Sequence, residues 1–199
     1  MNELKSLLND LTSGDEARAE TSVSSLIKFG ADAIPALMDL TNSSNSDSRW
    51  WALRTLAQSP LLQTEWLVPF LSDSAPEVRQ CAALGLASKP DEMAINPLVQ
   101  ALSDEDTLVS NLAVNALVKI GNATVPSLIG VVKHRPEPVE GSASQSARIH
   151  ALRALAEIRD HRAIPVMMQV MDEDSVLLQH WAKEGLERLG LDMVYMKPV

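Results

Sequence analysis

A repeat of about 31 residues runs along the chain and restricts its fold more than any other feature. Each copy has a small residue followed four positions later by a leucine. The pairs are Ser22 with Leu26, Ala52 with Leu56, Ala82 with Leu86, Ala113 with Leu117, Ala151 with Leu155 and Ala182 with Leu186. Successive leucines are 30, 30, 31, 38 and 31 residues apart. A copy of this length cannot bury its apolar face alone, so the repeat predicts a stack of similar units.

Each copy contains two helical segments. The small residue and the leucine four positions later lie on one face of a first, amphipathic helix. About ten residues after the leucine, a proline among apolar residues begins a second helix, because proline is tolerated in the first helical turn. The second copy has Trp66 at that place and Pro69 three residues later, and we expect Pro69 to distort this helix or delay its start. The other prolines are Pro35, Pro97, Pro126 and Pro165.

The repeat also sets the predicted organisation, a single all-α domain over residues 1–199. Aromatic residues make up only 4% of the chain and no alternating runs indicate strands. The 38-residue interval between Leu117 and Leu155 is explained by an inserted loop at 134–146. The sixth copy lacks its second helix and is followed by a tail at 191–199. The first 11 residues have an amphipathic pattern that is expected to cap the stack. The predicted repeats lie near 12–42, 46–73, 76–104, 107–133, 145–172 and 174–190.

Polar residues at the turns agree with this division. Carboxylates before the first helices can accept hydrogen bonds from free N–H groups and favour the positive end of the helix dipole. Glycines after first helices commonly close a helix end. The aspartates are Asp15, Asp47, Asp73, Asp104 and Asp172, and the glycines are Gly30, Gly121 and Gly190.

The third copy carries the pattern that links these repeats to a known family. A turn Asp73 is followed by Val78, Arg79, Ala82 and Leu86, in the form V-R-x-x-A-x-x-x-L, and second segments read I-P-x-L. This resembles the HEAT repeat, in the short form of the phycobilisome-lyase-like (PBS lyase HEAT-like) proteins, over roughly residues 12–190. The resemblance implies a right-handed α-α superhelix of about five and a half helix pairs. First helices would form its convex layer and second helices its concave side.

The resemblance also implies a ladder in which each turn aspartate pairs with an arginine. Arg49 and Arg148 hold the same place as Arg79 in their copies. Ser110 and Gln179 replace the arginine in copies four and six, so these copies are expected to stack less rigidly.

The second helices are unusually poor in charge, with none from residue 125 to 132 or from 163 to 171. We assign the residues one before and two after the proline of each second helix to the core. The remaining apolar residues of that helix would then line the concave groove. Apolar residues on two faces of a helix indicate an interface. The alternative is that tight curvature buries both faces against the next repeat. The candidate partner-binding residues are Met38, Trp66, Leu67, Phe70, Leu98, Ile129, Val166, Met168 and Gln169.

Neighbouring tryptophans form a second candidate feature. Side chains of Trp50 and Trp51 point about 100° apart on a helix, so one face cannot bury both. We expect one in the core and the other either in partly exposed packing or as a binding anchor, since Trp is enriched at hot spots.

No pattern indicates catalytic chemistry. None of the four histidines forms the His-Glu pair with which the hydroxylase branch of the HEAT superfamily holds iron, and His150 aligns with Trp181. Cys81, without an aligned histidine, is typical of a buried small hydrophobe. The phosphate-binding glycine motifs and the G-x-S-x-G nucleophile motif are absent. We therefore predict no catalytic residue, cofactor or metal site, and favour a binding protein over an enzyme.

Charge narrows the class of partner. The 26 acidic and 17 basic residues give a net charge of -9, which phosphate backbones repel, so we expect no nucleic-acid partner. The sequence has no run of about 18 apolar residues, which predicts no membrane span. A single cysteine suits a reducing compartment, and we expect a cytoplasmic protein. The acidic turns at 104–106 and 172–174 are interpreted as caps, or as a rim that meets a basic partner.

Together these features predict a non-catalytic scaffold or adaptor that holds a helix or apolar peptide of a partner protein on its concave second-helix face. The alternative is a subunit resembling the bilin lyases, in which the solenoid cradles a tetrapyrrole or its acceptor protein. An apolar groove suits a tetrapyrrole, whereas its propionates prefer arginine. A DNA glycosylase of this fold is disfavoured by the acidic charge.

Overall fold

The computed structural model describes residues 2–134 and 141–191, and all regular secondary structure in these ranges is helical. The chain divides into two compact units, Met1–Lys89 and Pro90–Val199. Each unit has its own core of buried leucines and alanines. The prediction of an all-α fold built from repeated helix pairs is confirmed.

Over its described residues, 2–89, the first unit contains six α-helices. First helices α2, α4 and α6 alternate with short second helices α3 and α5, and α4 packs against both α2 and α6. Helix α1 packs on α2 and contributes the fully buried Leu11 to the core, as expected of a cap. The bounds are α1 Asn2–Leu11, α2 Glu16–Phe29, α3 Ile34–Leu40, α4 Ser46–Gln58, α5 Thr64–Leu67 and α6 Pro76–Ser88.

Six further α-helices lie in the part of the second unit that the structure describes, residues 90–134 and 141–191. First helix α10 packs against the first helices α8 and α12 and against the second helix α9. The bounds are α7 Ile95–Ala101, α8 Thr107–Ile120, α9 Val125–Lys133, α10 Gly141–Ile158, α11 Ile164–Val170 and α12 Val176–Arg188.

The repeated small residues and leucines form the cores of both units. All six leucines of the repeat, and all five of its alanines, are no more than 1% exposed. Ser22, which replaces the alanine in the first copy, is also buried and donates its hydroxyl to the Ala19 carbonyl at 2.7 Å. The four-residue spacing read from the sequence therefore identifies the core face of every first helix.

Helix ends follow the predicted chemistry, with shifts of a few residues. Asp15 accepts a hydrogen bond from the Arg18 N–H at the start of α2, but Asn45 and Asp106, rather than Asp47 and Asp104, cap α4 and α8. Gly30 and Gly121 end α2 and α8 with φ of 61° and 81°. A side chain is strained in this conformation, which explains glycine at both ends.

Proline has the expected effect in the second copy. Helix α5 ends at Leu67 after four residues, and the chain continues as a 3₁₀ helix from Val68 to Ser72 with Pro69 in its first turn. The missing N–H and the ring of Pro69 prevent an α-helix from continuing through this point.

One predicted boundary is wrong. The inserted loop was expected to cover residues 134–146, but α10 already begins at Gly141. Ser, Ala and Gln have moderate to good helix propensity, and the packing of α10 against its neighbours outweighs the weak local signal. Residues 135–140 and the tail from residue 192 lie outside the described residues.

The segment Thr107–Lys133 is long and apolar enough to cross a membrane by composition. In the structure it consists of α8, a 3₁₀ turn at Gly121–Thr124 and α9, so no continuous α-helix runs through it. The apolar side chains Val109, Val114 and Leu117 of α8 are buried inside the unit. The absence of a membrane partner stays a prediction.

Two glycines allow close helix packing at the same place in different copies. A Cβ atom added to Gly85 would lie 2.6 Å from Leu67 Cδ1 and 3.1 Å from Ala57 Cβ. A Cβ atom added to Gly185 would lie 2.6 Å from Met167 Cε and 3.2 Å from Ala156 Cβ. Each glycine precedes the repeat leucine of its helix, so a first helix approaches the preceding pair most closely there.

The substitution Gly85→Ala is expected to lower the free energy of unfolding by about 1–2 kcal/mol. Overpacking of a core costs about 1–3 kcal/mol, and the better helix propensity of alanine offsets up to about 1 kcal/mol of it. Urea denaturation measures the change. In the control Gly130→Ala, the new Cβ meets nothing within 4 Å, and a gain of about 0.5–1 kcal/mol is expected. Equal effects at the two positions would contradict the close approach at Gly85.

Candidate protein-binding surfaces

Three of the nine predicted partner-binding residues lie in the core. Leu67 and Leu98 are 0% exposed and Val166 is 3% exposed. Their side chains offer no surface to a partner, so the assignment of these three residues to a groove is wrong.

The error for the two leucines comes from using proline as the alignment mark. The buried residue is the fourth residue of each second helix, whatever the position of the proline. Pro35 is the second residue of α3, but Pro97 is the third residue of α7, so Leu98 takes the core position. Trp66 is likewise third in α5, which places Leu67 fourth. The equivalent core residues are Leu37, Leu67, Leu98, Leu128 and Met167.

The other six predicted residues keep exposed surface. Met168 is 44% exposed and Gln169 is exposed on α11. Three of the six share a register, because Met38, Ile129 and Met168 are each the fifth residue of their helices. Sequence reasoning missed Val99, the fifth residue of α7, because the misplaced proline register assigned it to the core. The half-buried members are Met38, Trp66, Phe70 and Ile129.

In each unit we call these residues the second-helix surface: Met38, Trp66 and Phe70 in the first unit, and Ile129, Met168 and Gln169 in the second. Across the second helices α3, α5, α7, α9 and α11, the only charged residues are Asp39, Glu65 and Lys133. Apolar exposed side chains on helices with so little charge are typical of interaction surfaces.

The tryptophan pair lies on the first helix α4. The rings of Trp50 and Trp51 meet edge to face with centroids 4.8 Å apart, and both side chains are half-buried. Trp51 packs against the core of the first unit. Neither ring is fully buried, so the expectation of one core tryptophan is only approximately met.

An arginine that sequence reasoning missed holds this pair. The guanidinium carbon of Arg54 lies 5.2 Å from both ring centroids, and its nitrogens bond to the Glu20 carboxylate of α2 at 2.9 and 2.7 Å. Arg153 occupies the same repeat position in α10, 5.8 Å from the Trp181 ring centroid. A long cation one helical turn away from an aromatic residue was the available signal.

Two arginine–carboxylate pairs of the predicted ladder are present, and each joins neighbouring copies. Arg49 Nε and Nη2 donate to both oxygens of Asp73, 24 residues later, at 2.8 and 2.6 Å. Arg148 donates to both oxygens of Glu173 at 2.8 and 2.9 Å and to the Val132 carbonyl. The acidic partner in the later copy is thus a glutamate, whereas the expected ladder used aspartates only.

Gln179 replaces part of the arginine's role in the sixth copy. Its Nε2 donates to the Glu173 carbonyl, six residues earlier, at 2.6 Å. Arg79 Nη1 makes the equivalent bond to the Asp73 carbonyl at 2.9 Å. The turn carbonyl is therefore satisfied without an arginine, although glutamine carries no charge that could pair with a carboxylate.

The Arg49–Asp73 pair predicts an acid-sensitive contribution to stability. Burial alone raises the pKa of Asp73, but hydrogen bonds from Arg49 and from the Ala75 N–H outweigh it, and the pKa lies below its ordinary range. The folded state therefore favours the deprotonated form of Asp73. Its contribution to the free energy of unfolding is complete above the unfolded pKa of about 3.9, and it is lost as the pH falls through the lower folded pKa. Urea denaturation should show a steeper loss of stability below about pH 4 in wild type than in Asp73→Asn. Parallel profiles would contradict this assignment.

Catalytic or metal-binding groups are not brought together in the described residues. His150 Nδ1 lies 2.9 Å from the Leu102 carbonyl, a structural hydrogen bond. Burial raises the pKa of Cys81 to about 12, so this 9%-exposed thiol stays protonated and unreactive. Among the residues that the structure describes, no three His, Cys, Asp or Glu side chains are placed to hold a metal ion.

Comparison with known proteins agrees with the repeat architecture. A family model described as HEAT repeats matches residues 64–147, and one described as PBS lyase HEAT-like repeat matches residues 147–173. The bilin biosynthesis protein RpcF of Synechococcus sp. (strain WH8020) is 35% identical over 83 residues, which span 41% of this chain and 40% of that protein.

Two solved structures show the same fold. The archaeal HEAT-like repeats protein from Thermococcus onnurineus NA1 has a TM-score of 0.56 and 11% identity, covering 94% of this chain and 80% of that one. The complex of CpcE and CpcF of phycocyanin lyase from Nostoc sp. PCC7120 has a TM-score of 0.54 and 20% identity, covering 73% and 97%. The two family matches together extend from residue 64 to residue 173, more than half of the chain. Together with the repeated helix pairs, these matches show that the chain carries HEAT repeats over residues 64–173.

Proposed function

We propose that this protein is a non-catalytic scaffold or adaptor that holds a helix or apolar peptide of a partner protein on its second-helix surface. The observation that carries the proposal is the set of exposed and half-exposed apolar residues on helices that have only three charges. Repeat solenoids commonly use such surfaces for extended binding. We also propose that it acts in the cytoplasm.

The chemistry of this surface favours an apolar partner. Burial of apolar area contributes about 25 cal/mol per Å² removed from water, which makes Met38, Ile129 and Met168 useful contact residues. Methionine side chains adapt to irregular partner shapes because they are unbranched and flexible. Acidic turns beside the helices would orient the partner more than they would strengthen its binding.

Comparative affinity capture tests this function. Tagged wild-type protein and Met168→Asp are used as baits in extracts of the native host, and bound proteins are quantified by mass spectrometry. Met168 is 44% exposed, so its substitution is expected to leave folding intact while reducing capture of the partner about tenfold, as for a binding residue worth about 1.4 kcal/mol.

The matched control is Leu84→Asp. Leu84 is a 60%-exposed apolar residue on the first helix α6. Its substitution therefore adds the same charge as Met168→Asp, but outside the second-helix surface. Wild type and Leu84→Asp should retain the same protein. Equal retention by Met168→Asp would contradict the proposed surface.

A second candidate function is a subunit of a bilin-lyase-like enzyme that cradles a tetrapyrrole or its acceptor protein. It is supported by the 35% identity to the bilin biosynthesis protein over 83 residues. The apolar second-helix surface suits a tetrapyrrole ring system. No arginine lies on the described second helices, however, and Lys133 is their only cation for the propionate groups.

Absorbance spectroscopy distinguishes the two candidates. Biliverdin, an open-chain tetrapyrrole, is titrated with the protein, and its visible band is followed. A saturable spectral change that Met168→Asp weakens would support the lyase-like candidate. An unchanged band across the titration would count against it and leave the scaffold as the better proposal.

A further inference from the structure

An open cleft of about 470 Å³ lies among the first helices of the first unit, and none of its lining residues belongs to the second-helix surface. Its apolar wall consists of Leu11, Trp50 and Trp51. Its rim consists of the turn after α1 and the first turns of α2, α4 and α6. The cleft therefore combines ring surface with the polar ends of three helices.

Three carboxylates line this cleft, and no lysine or arginine does. They are Glu16, Asp47 and Glu77, each in the first turn of its helix and each exposed. None of the three forms an ion pair or side-chain hydrogen bond with the described residues. By contrast, the nearby Asp10 and Glu20 are paired with Arg18 and Arg54.

The carboxylates outweigh the helix ends on which they lie. A helix N-terminus carries about half a positive charge, and each carboxylate carries a full negative charge. The cleft therefore keeps a negative potential, and clefts lined by one sign of charge concentrate ions of the opposite sign.

The tryptophans add a second requirement for the occupant. Indole faces attract cations, as the position of Arg54 over both rings demonstrates in this chain. Arg54 is not among the residues that line the cleft. Indole also packs against the methylene stem of a long basic side chain, whose charged head then stays near water.

We propose that this cleft binds a lysine- or arginine-bearing segment of a partner protein, with aliphatic stems on Trp50 and Trp51 and cationic heads at the three carboxylates. The size of the cleft and its charge support this occupant. A single divalent ion fits less well, because no three carboxylates among the described residues converge on one ion position. The binding site extends the proposed scaffold role by a second surface with a partner of different chemistry.

The second unit lacks these charges at the same repeat positions. Asp47 and Glu77 are each five residues before the repeat alanine, and the equivalents in α8 and α12 are Leu108 and Leu177. These leucines are 51% and 58% exposed. A basic segment is therefore expected to bind the first unit and not the second.

Fluorescence anisotropy with labelled hexalysine as the probe tests the proposal in the full chain. At low ionic strength, about 20 mM, surface charges are screened little. The triple variant Glu16→Gln, Asp47→Asn, Glu77→Gln removes the cleft charges with nearly unchanged side-chain shapes. We expect its affinity for hexalysine to be at least about tenfold below that of wild type, a change of about 1.4 kcal/mol. Trp50→Leu should lower the affinity severalfold.

A charge-matched control separates the cleft from the net charge of the protein. The triple variant Glu3→Gln, Asp32→Asn, Glu92→Gln removes three charges from exposed positions outside the cleft and outside the acidic turns. Its affinity should stay within about twofold of wild type. Equal weakening in both triples, or no binding to wild type at low salt, would overturn the proposal. Circular dichroism melting establishes that all variants are folded.

The outcome is independent of the scaffold test. The binding of hexalysine tests only the cleft. The amount of partner protein captured by the Met168→Asp bait tests only the second-helix surface. A failure of the cleft therefore leaves the proposed function standing, and the reverse also holds.

Discussion

Replacing Leu98 by aspartate is expected to lower the free energy of unfolding by about 4 kcal/mol or more. Leu98 is 0% exposed and is the core residue of α7. Truncation of a buried leucine alone costs about 2–5 kcal/mol through lost burial and the cavity that remains. A carboxylate without a partner at this position adds a desolvation cost. Native domains have about 5–15 kcal/mol in total, so the variant is expected to lose a large share of its stability.

Met168→Asp is the matched comparison for this prediction. Met168 directly follows Met167, the core residue of α11, and its side chain is 44% exposed. It is equivalent to Val99, which directly follows Leu98 in α7. Its substitution should change the free energy of unfolding by no more than about 0.5 kcal/mol. Urea denaturation of both variants, monitored by circular dichroism, measures the difference. If Leu98→Asp were as stable as Met168→Asp, the core register of the second helices would be wrong.

Replacing Arg148 by alanine is expected to cost about 3–5 kcal/mol. Its side chain is 6% exposed and pairs with both oxygens of Glu173, whose side chain is 16% exposed. Loss of one partner leaves a largely buried carboxylate without this cation and removes the donor to the Val132 carbonyl. Arg148 thereby joins α9, α10 and the turn before α12. Denaturant titration measures the loss of stability.

Two controls separate this pair from ordinary surface charge. Arg188 is 33% exposed and pairs with Glu184 one turn earlier on α12, so Arg188→Ala should cost only about 0.3–0.5 kcal/mol. The double variant Arg148→Ala, Glu173→Gln should recover part of the lost stability, because the uncompensated charge is removed. A cost at Arg148 no larger than that at Arg188 would contradict its role in joining the copies.

The repeat positions of the first-helix cores could be predicted from the sequence. Ala82 and Leu86, and their equivalents in other copies, are buried because a four-residue spacing selects one helix face in any stacking arrangement. The effect of Pro69 was equally predictable, since a missing N–H interrupts a helix whatever surrounds it. Local chemistry alone was enough for both.

The second helices were harder because they are short and apolar on several faces. Four to nine residues give too little periodicity to identify the inward face, and the proline used as a mark shifts by one residue in α7. Leu67, Leu98 and Val166 were therefore assigned to a surface that they do not reach. The other six residues keep exposed surface because their neighbours take the core positions, and their role in partner binding stays a prediction.

The sequence by itself determined the repeat length and the helix pairs and indicated the family, because each can be read from the spacing of residue types along the chain. Only the tertiary structure decided that Arg49 reaches Asp73 24 residues later, and that Trp50 and Glu77 line one cleft. It also decided that residues from Gly141 onward are helical. These features depend on how separate helices approach each other, and the free energy of that approach is absent from any local pattern.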